Sequence, residues 1–266
     1  MKNFYKQNEI SEFLDTQQFY IPEKIKQIKI DVGLAGEAPN SAIWLSENDD
    51  RYVFGIEPLE HHWNMLTNFD TSNTTRPYPD NFKILQLFDE TIKFKRETIC
   101  SIKNRFTGIQ CVIDNVPAVT TSLFYEMDRD LGKSGASSLL KPSVHHPSQL
   151  NDVLSIKTIS LEMLLHKIPW HRFPFIEHLK TDCEGKDFDV VKSCGKYLQN
   201  IVFITSEMTD NTHHVIGACN PQEFIKFMND NNFSVINHIN GNINFINNRF
   251  IDTIKLYQLS NNTLGF

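Results

Sequence analysis

The sequence predicts an α/β fold, a mostly parallel open sheet that ends in an antiparallel C-terminal hairpin. Three observations carry that expectation. Short apolar runs alternate with amphipathic stretches along the chain, as strands and crossover helices do around a parallel sheet. Five of the runs lead into a carboxylate, at Asp31, Glu57, Asp114, Asp182 and Glu207. The last two runs are divided by Asn240-Gly241, a dipeptide suited to a tight hairpin turn.

Taken in order, residues 1–24 read as a helical extension, because "KQNEISEFLDTQQF" spaces its apolar residues at a helical period. Pro22 leads into "IKQIKIDVG", whose Ile25, Ile28 and Ile30 give the first strand. "RYVFGIEP" is the second strand and "HHWNMLTNF" the helix that returns across the sheet. "DTSNTTRPYPDN", rich in Pro, Asn and Thr, marks a surface loop. "IQCVIDN" is a third strand. An insertion of about 118–150 follows, in which "TTSLFYEM" and "GASSLLK" read as a hairpin or paired extended segments before a loop around "PSVHHPSQ". "LSIKTISLEMLLHKI" joins a strand-like start to a helix, and "FPFIEHLKTD" is the fourth strand. "KDFDVVKSCGKYLQN" is amphipathic at helical spacing. "IVFITSEM" is the fifth strand, "NPQEFIKFMNDNNF" a helix with Pro221 at its start, and "SVINHI" with "INFINNRF" the closing hairpin. Residues 25–266 make the core, and the whole chain reads as one domain.

Composition narrows the partners. With 266 residues, 40% of them hydrophobic, the chain can bury a sizeable core. A formal net charge of -6 offers no concentrated basic face for a polyanion, so nucleic acid is not an expected partner. Five cysteines without CxxC spacing suit reduced thiols, and no zinc site is expected. The polar N-terminus lacks an apolar leader and no apolar run reaches spanning length. These features lead to the expectation of an intracellular, cytoplasmic chain with no membrane span. Oligomeric state is left open.

In open α/β sheets, ligands bind beyond the carboxyl ends of the strands, where the strand order reverses. Asp31 with Gly33 and Gly36, Glu57, Asp114 with Asn115, Asp182 with Glu184, and Glu207 stand at those ends. In "IDVGLAG" the two glycines allow backbone to approach a ligand, while Asp31 can accept from a cation or amine; an ordinary glycine turn into a helix fits equally well. Glu57, 26 positions after Asp31, is placed to take both hydroxyls of a ribose, the alternative being a solvated turn residue before Pro58. Asp114 could accept from an adenine amino group, or simply form an Asx turn before Asn115. Of the three His-His pairs, His61-His62 reads as helix surface. The others fall in loops, where His145 or His214 could reach an acceptor hydroxyl or simply be solvated. Trp44 and Trp63 read as core, and Trp170 as a candidate stacking platform.

Together these positions resemble Rossmann-like class I methyltransferases that use S-adenosylmethionine, and the longer blocks resemble their FkbM branch. "IKTISLEMLL" followed by "FIEHLKTDCEGKDFDVVKSCGKYLQNIVFITSE" is similar to that family's Lys-x-Asp-x-Glu-Gly block with its helix and next strand. "IQCVIDN", "SLFYEM" and "GASSLL" follow in the family's order, and the likeness runs from about Ile28 to Glu207. Ser160 and the segment "EAPN" depart from the family pattern. The resemblance implies S-adenosylmethionine held by Asp31, Gly33, Gly36, Glu57 and Asp114, and O-methylation of a small-molecule or glycan acceptor, with a sugar hydroxyl expected. It also puts Lys180, Asp182 and Glu184 at the chemistry, since an alcohol must lose a proton as it is methylated. A divalent cation held by Asp182 and Glu207 is the other way to activate that hydroxyl. The structural alternative is a Lys180–Asp182 salt bridge with Glu184 capping the next helix. A nicotinamide oxidoreductase should carry GxGxxG, which is absent, and a base-modifying N-methyltransferase should continue "DNVP" differently. A nucleoside-binding module without turnover remains open.

Overall fold

A computed structural model describes residues 4–15, 18–36, 38–68, 104–128, 134–208, 214–239 and 241–254. Among these, eight strands form the main sheet. From one edge they run β1 (Phe4–Tyr5), β4 (Phe106–Ile109), β3 (Arg51–Ile56), β2 (Gln27–Val32), β8 (Ile176–Thr181), β9 (Ile201–Glu207), β11 (Asn242–Asn247) and β10 (Phe233–Ile239). Neighbours are parallel, except that β11 is antiparallel to both β9 and β10. The fold is therefore α/β with a mostly parallel mixed sheet, compatible with a Rossmann-like arrangement. Among the described residues no helix is long and apolar enough to cross a membrane.

The central strands are buried on both faces. β2 reads Gln-Ile-Lys-Ile-Asp-Val, and every residue after the first is buried. Ile28, Ile30 and Val32 supply one apolar face. The polar residues between them need partners: Lys29 pairs with Glu177 at 3.2 Å and lies over the Trp44 ring, 4.9 Å from its centroid. From β2 the chain proceeds outward to β3 and β4, then returns to β8 and continues outward to β9 on the other side. That reversal opens a crevice at the carboxyl ends of β2 and β8.

Several expectations are corrected. The N-terminal extension is not wholly helical: Phe4–Tyr5 adds a strand beside β4, and the α-helix spans only Ile10–Asp15. "IQCVIDN" is not one strand. Gln110 and Cys111 separate β4 from β5 (Val112–Ile113), and β5 belongs to a second sheet in the order β5, β7 (Leu150–Ile159), β6 (Thr120–Met127). Within that sheet β6 pairs antiparallel with β7, not with "GASSLLK", which begins inside a 3-10 turn at Ser134–Ala136 and contributes a single bridge between Tyr125 and Ser138. The inserted unit thus runs past residue 150 to Ile159. "KDFDVVKSCGKYLQN" also divides, into an α-helix at Asp187–Lys192 and a 3-10 helix at Gly195–Asn200, because Gly195 takes a φ of 53°. The expected loop "DTSNTTRPYPDN" lies outside the described residues. The closing hairpin has the expected order, with Gly241 at a φ of 78°.

Candidate functional site

A cavity of about 470 Å³ opens at the crevice, within the size range of small-ligand sites. The ends of β2, β3, β8 and β9, together with β5 and the inserted unit, all contribute to its wall.

Glu57 follows β3 and is only 4% exposed, so its carboxylate has to be satisfied inside the protein. Its Oε2 accepts the Ala35 N–H at 2.9 Å, and its Oε1 accepts the Leu59 N–H at 2.9 Å and lies 3.1 Å from His62 Nδ1. The Trp63 indole donates to the Glu57 carbonyl at 2.6 Å. A carboxylate has about four acceptor positions, so Glu57 keeps capacity for a ligand donor at the cavity wall. His62 lines the same wall and is buried, which corrects the expectation of a helix-surface pair. His61 is buried as well, 3.2 Å from Glu126 of β6, and ties the helix Glu60–Asn68 to the inserted sheet.

The glycine turn behaves otherwise than expected. Asp31 is 1% exposed and does not line the cavity; its Oδ2 accepts from Ser41 Oγ at 2.6 Å and Ser41 N–H at 3.1 Å. Burial pushes its carboxyl up to about 6, against the opposing pull of Lys180 and of Ser41. Asp31 therefore anchors the helix Pro39–Glu47 from outside the cavity wall. Gly33 lines the cavity at a φ of 81°, and Gly36 lies in the turn without reaching the wall.

The block after β8 turns sharply. Glu184 and Gly185 take left-handed φ values of 49° and 94°, and Asp187, fully buried at the start of the next helix, draws the turn in. Its oxygens accept from Thr181 Oγ1 at 2.6 Å and Cys183 N–H at 3.3 Å. This folding sets Asp182, Glu184 and Glu207 together, with one oxygen of each within 4.8 Å of the others. Lys180 Nζ donates to Asp182 Oδ2 at 2.6 Å. Burial works against the ammonium of Lys180, yet Asp182 and Asp31 hold its pKa above the ordinary value. Burial, then Asp182 and Asp187, push Glu184 up to about 7. Burial, the charges of Asp182 and Glu184, and a hydrogen bond to Asp182 raise Glu207 further. Three carboxylates facing one ammonium cannot all carry charge cheaply, so the cluster either shares protons or holds a cation.

The remaining expected residues lie elsewhere. Asp114 is not on the cavity wall; its Oδ1 accepts the Asn115 N–H at 2.8 Å and pairs with Lys186 Nζ at 3.0 Å. Cys111, Val112 and Ile113 line that end instead, with Lys186. His145 is exposed and away from the cavity, because its backbone N–H is tied to Ser143 Oγ at 3.1 Å in a surface turn. His214 borders a small adjoining pocket with Glu184 and Glu207. Trp170 stacks on Tyr197 at 5.1 Å and donates to the Leu165 carbonyl, so it is engaged within the chain. Ser160 caps the helix Leu161–Leu165. Sequence reasoning set His62 on a helix surface and passed over Lys186, Ser137 and Ser148. For His62 the signal was its place five residues after Glu57, in the first turn of the returning helix; two serines in a serine-rich stretch carry no pattern. No protein-family model, no curated protein and no solved structure matches this chain.

Proposed function

We propose that the cavity binds S-adenosylmethionine and that the chain transfers its methyl group to an acceptor hydroxyl, with a sugar hydroxyl of a glycan or glycoconjugate as the acceptor. The observation that supports this reading is the pairing, on one cavity, of a buried ribose-type carboxylate, Glu57, with the cluster of Asp182, Glu184 and Glu207. The donor set fits the cofactor: Glu57 would hold the ribose hydroxyls, and Val112 and Ile113 offer apolar wall to the base. When bound, the cofactor supplies a methyl group made electrophilic by a sulfonium.

The chain's own part is to place the acceptor and take its proton. Asp182, whose side chain is 39% exposed, is open to an acceptor hydroxyl, and Lys180 fixes the orientation of its carboxylate. The proton released as the hydroxyl becomes an ether passes to the carboxylate cluster, which titrates as a unit. Glu184, pushed up to about 7, is the member tuned to accept it near neutral pH. If Asp182, Glu184 and Glu207 instead hold a divalent cation, they would set a Lewis acid beside the acceptor hydroxyl, and no base of matched pKa would be needed.

The test is single-turnover transfer from labelled S-adenosylmethionine to a panel of glycan fragments, comparing wild type with Asp182→Asn. A loss of roughly 10²–10⁴ in rate with cofactor affinity unchanged is expected. Full activity in Asp182→Asn would remove this residue from the chemistry, and no transfer to any acceptor by wild type would contradict the proposal.

A further inference from the structure

Part of the cavity wall comes from the inserted unit and not from the main sheet: Phe124, Ala136, Ser137, Leu139 and Ser148. Both serines are 8% exposed. Ser137 Oγ accepts the Met127 N–H at 2.9 Å, which leaves its own O–H hydrogen to be donated. Ser148 goes further. Among the described residues its hydroxyl has no hydrogen-bond partner, while its backbone is pinned: its N–H donates to His146 Nδ1 at 3.0 Å. A hydroxyl at a cavity wall with no partner in the chain can both donate to and accept from a ligand.

The inserted unit is also joined to the carboxylate turn. Ser138, 2% exposed, donates from Oγ to the Glu184 carbonyl at 3.0 Å. The segment that carries Ser137 is thus locked to the turn that carries Asp182 and Glu184.

We infer that Ser137 and Ser148 are acceptor-binding residues, and that the acceptor they select is polyhydroxylated and carries no negative charge. This rests on the methyl-transfer reading of the cavity. Two neutral hydroxyls can each pair with a hydroxyl of the ligand. Phe124 and Leu139 give its C–H face an apolar surface beside them. The same wall carries Asp182, Glu184 and Glu207, which can accept from ligand hydroxyls. Among the described residues its one lysine, Lys186, is taken up by Asp114 at 3.0 Å and Asp189 at 2.7 Å, so a ligand carboxylate or phosphate would meet acceptors and no cation left to pair with it.

The experiment is ligand-observed NMR titration of the full chain with methyl glucopyranoside and with methyl glucuronide, beside calorimetric titration of S-adenosylmethionine. Wild type should bind the neutral glycoside and bind the glucuronide at least about tenfold more weakly. Ser148→Ala should weaken the neutral glycoside about tenfold, with thermal melting and cofactor affinity unchanged, because no hydrogen bond within the chain is lost. Ser148→Thr, which keeps the hydroxyl, should restore binding. Equal binding of both glycosides, unchanged binding in Ser148→Ala, or no glycoside binding to wild type overturns the inference. Loss of cofactor binding in wild type would count instead against methyl transfer and leave the glycoside result to stand by itself.

Discussion

The backbone of Asp182 occupies the space where a side chain on Gly33 would begin: a Cβ built on Gly33 falls 1.9 Å from the Asp182 carbonyl oxygen. The exits of β2 and β8 meet backbone to backbone, and the Asp182 N–H completes the contact by donating to the Val32 carbonyl at 3.0 Å. This contact holds the Gly33 side of the cavity against its carboxylate end.

Gly33→Ala should therefore cost stability as well as binding. A left-handed φ costs an L-residue about 1–2 kcal/mol, and relieving a steric overlap in packed structure adds roughly 1–3 kcal/mol. Urea unfolding should show a lower midpoint, with cofactor binding weakened in the protein that remains folded. An unchanged midpoint would contradict the contact.

That contact also marks how far the sequence alone reaches. The order of alternating strands and helices, the C-terminal hairpin and the gathering of carboxylates at strand ends were legible, because apolar periodicity and turn dipeptides are local signals. The partner of β6 was not. "GASSLLK" is nearer in sequence and suggests a hairpin, but its Gly and Ser residues favour a turn, while the ten-residue β7, with its β-branched residues, pairs with β6 at eight positions. Asp31 and Glu57 show the same limit at the site. Both are carboxylates at the ends of adjacent parallel strands, yet Asp31 folds back onto Ser41 and Glu57 lines the cavity. No spacing rule distinguishes them, since the difference lies in which backbone N–H groups the next turn presents.

The raised carboxyls make stability depend on pH. Glu184 and Glu207 bind protons more tightly in the folded chain than in the unfolded one. Their contribution is fully present below the ordinary glutamate range. It is lost as pH rises through about 7 for Glu184 and further for Glu207. Chemical denaturation from pH 5 to pH 9 should show stability falling with pH, and Glu207→Gln should flatten that slope and be more stable than wild type at the alkaline end. A slope unchanged by Glu207→Gln would contradict the shared-proton arrangement.

Activity should run the other way. If Glu184 accepts the acceptor proton, the single-turnover rate rises with pH through about 7, and Glu184→Gln lowers it roughly 10²–10⁴-fold while removing that rise. A chelator should leave wild-type activity unchanged under this mechanism. Abolition by chelator, with recovery on adding a divalent cation, would assign the three carboxylates to a cation instead.

The central claim, that the cavity at the β2–β8 crevice is a nucleoside-type cofactor site organised by Glu57, is tested most directly by calorimetric titration of S-adenosylmethionine into wild type and Glu57→Ala. The account predicts saturable binding to wild type with one site per chain. In Glu57→Ala it predicts a loss of about 1.5–3 kcal/mol, roughly 10- to 150-fold in affinity. No binding to wild type, or equal affinity in Glu57→Ala, would contradict it.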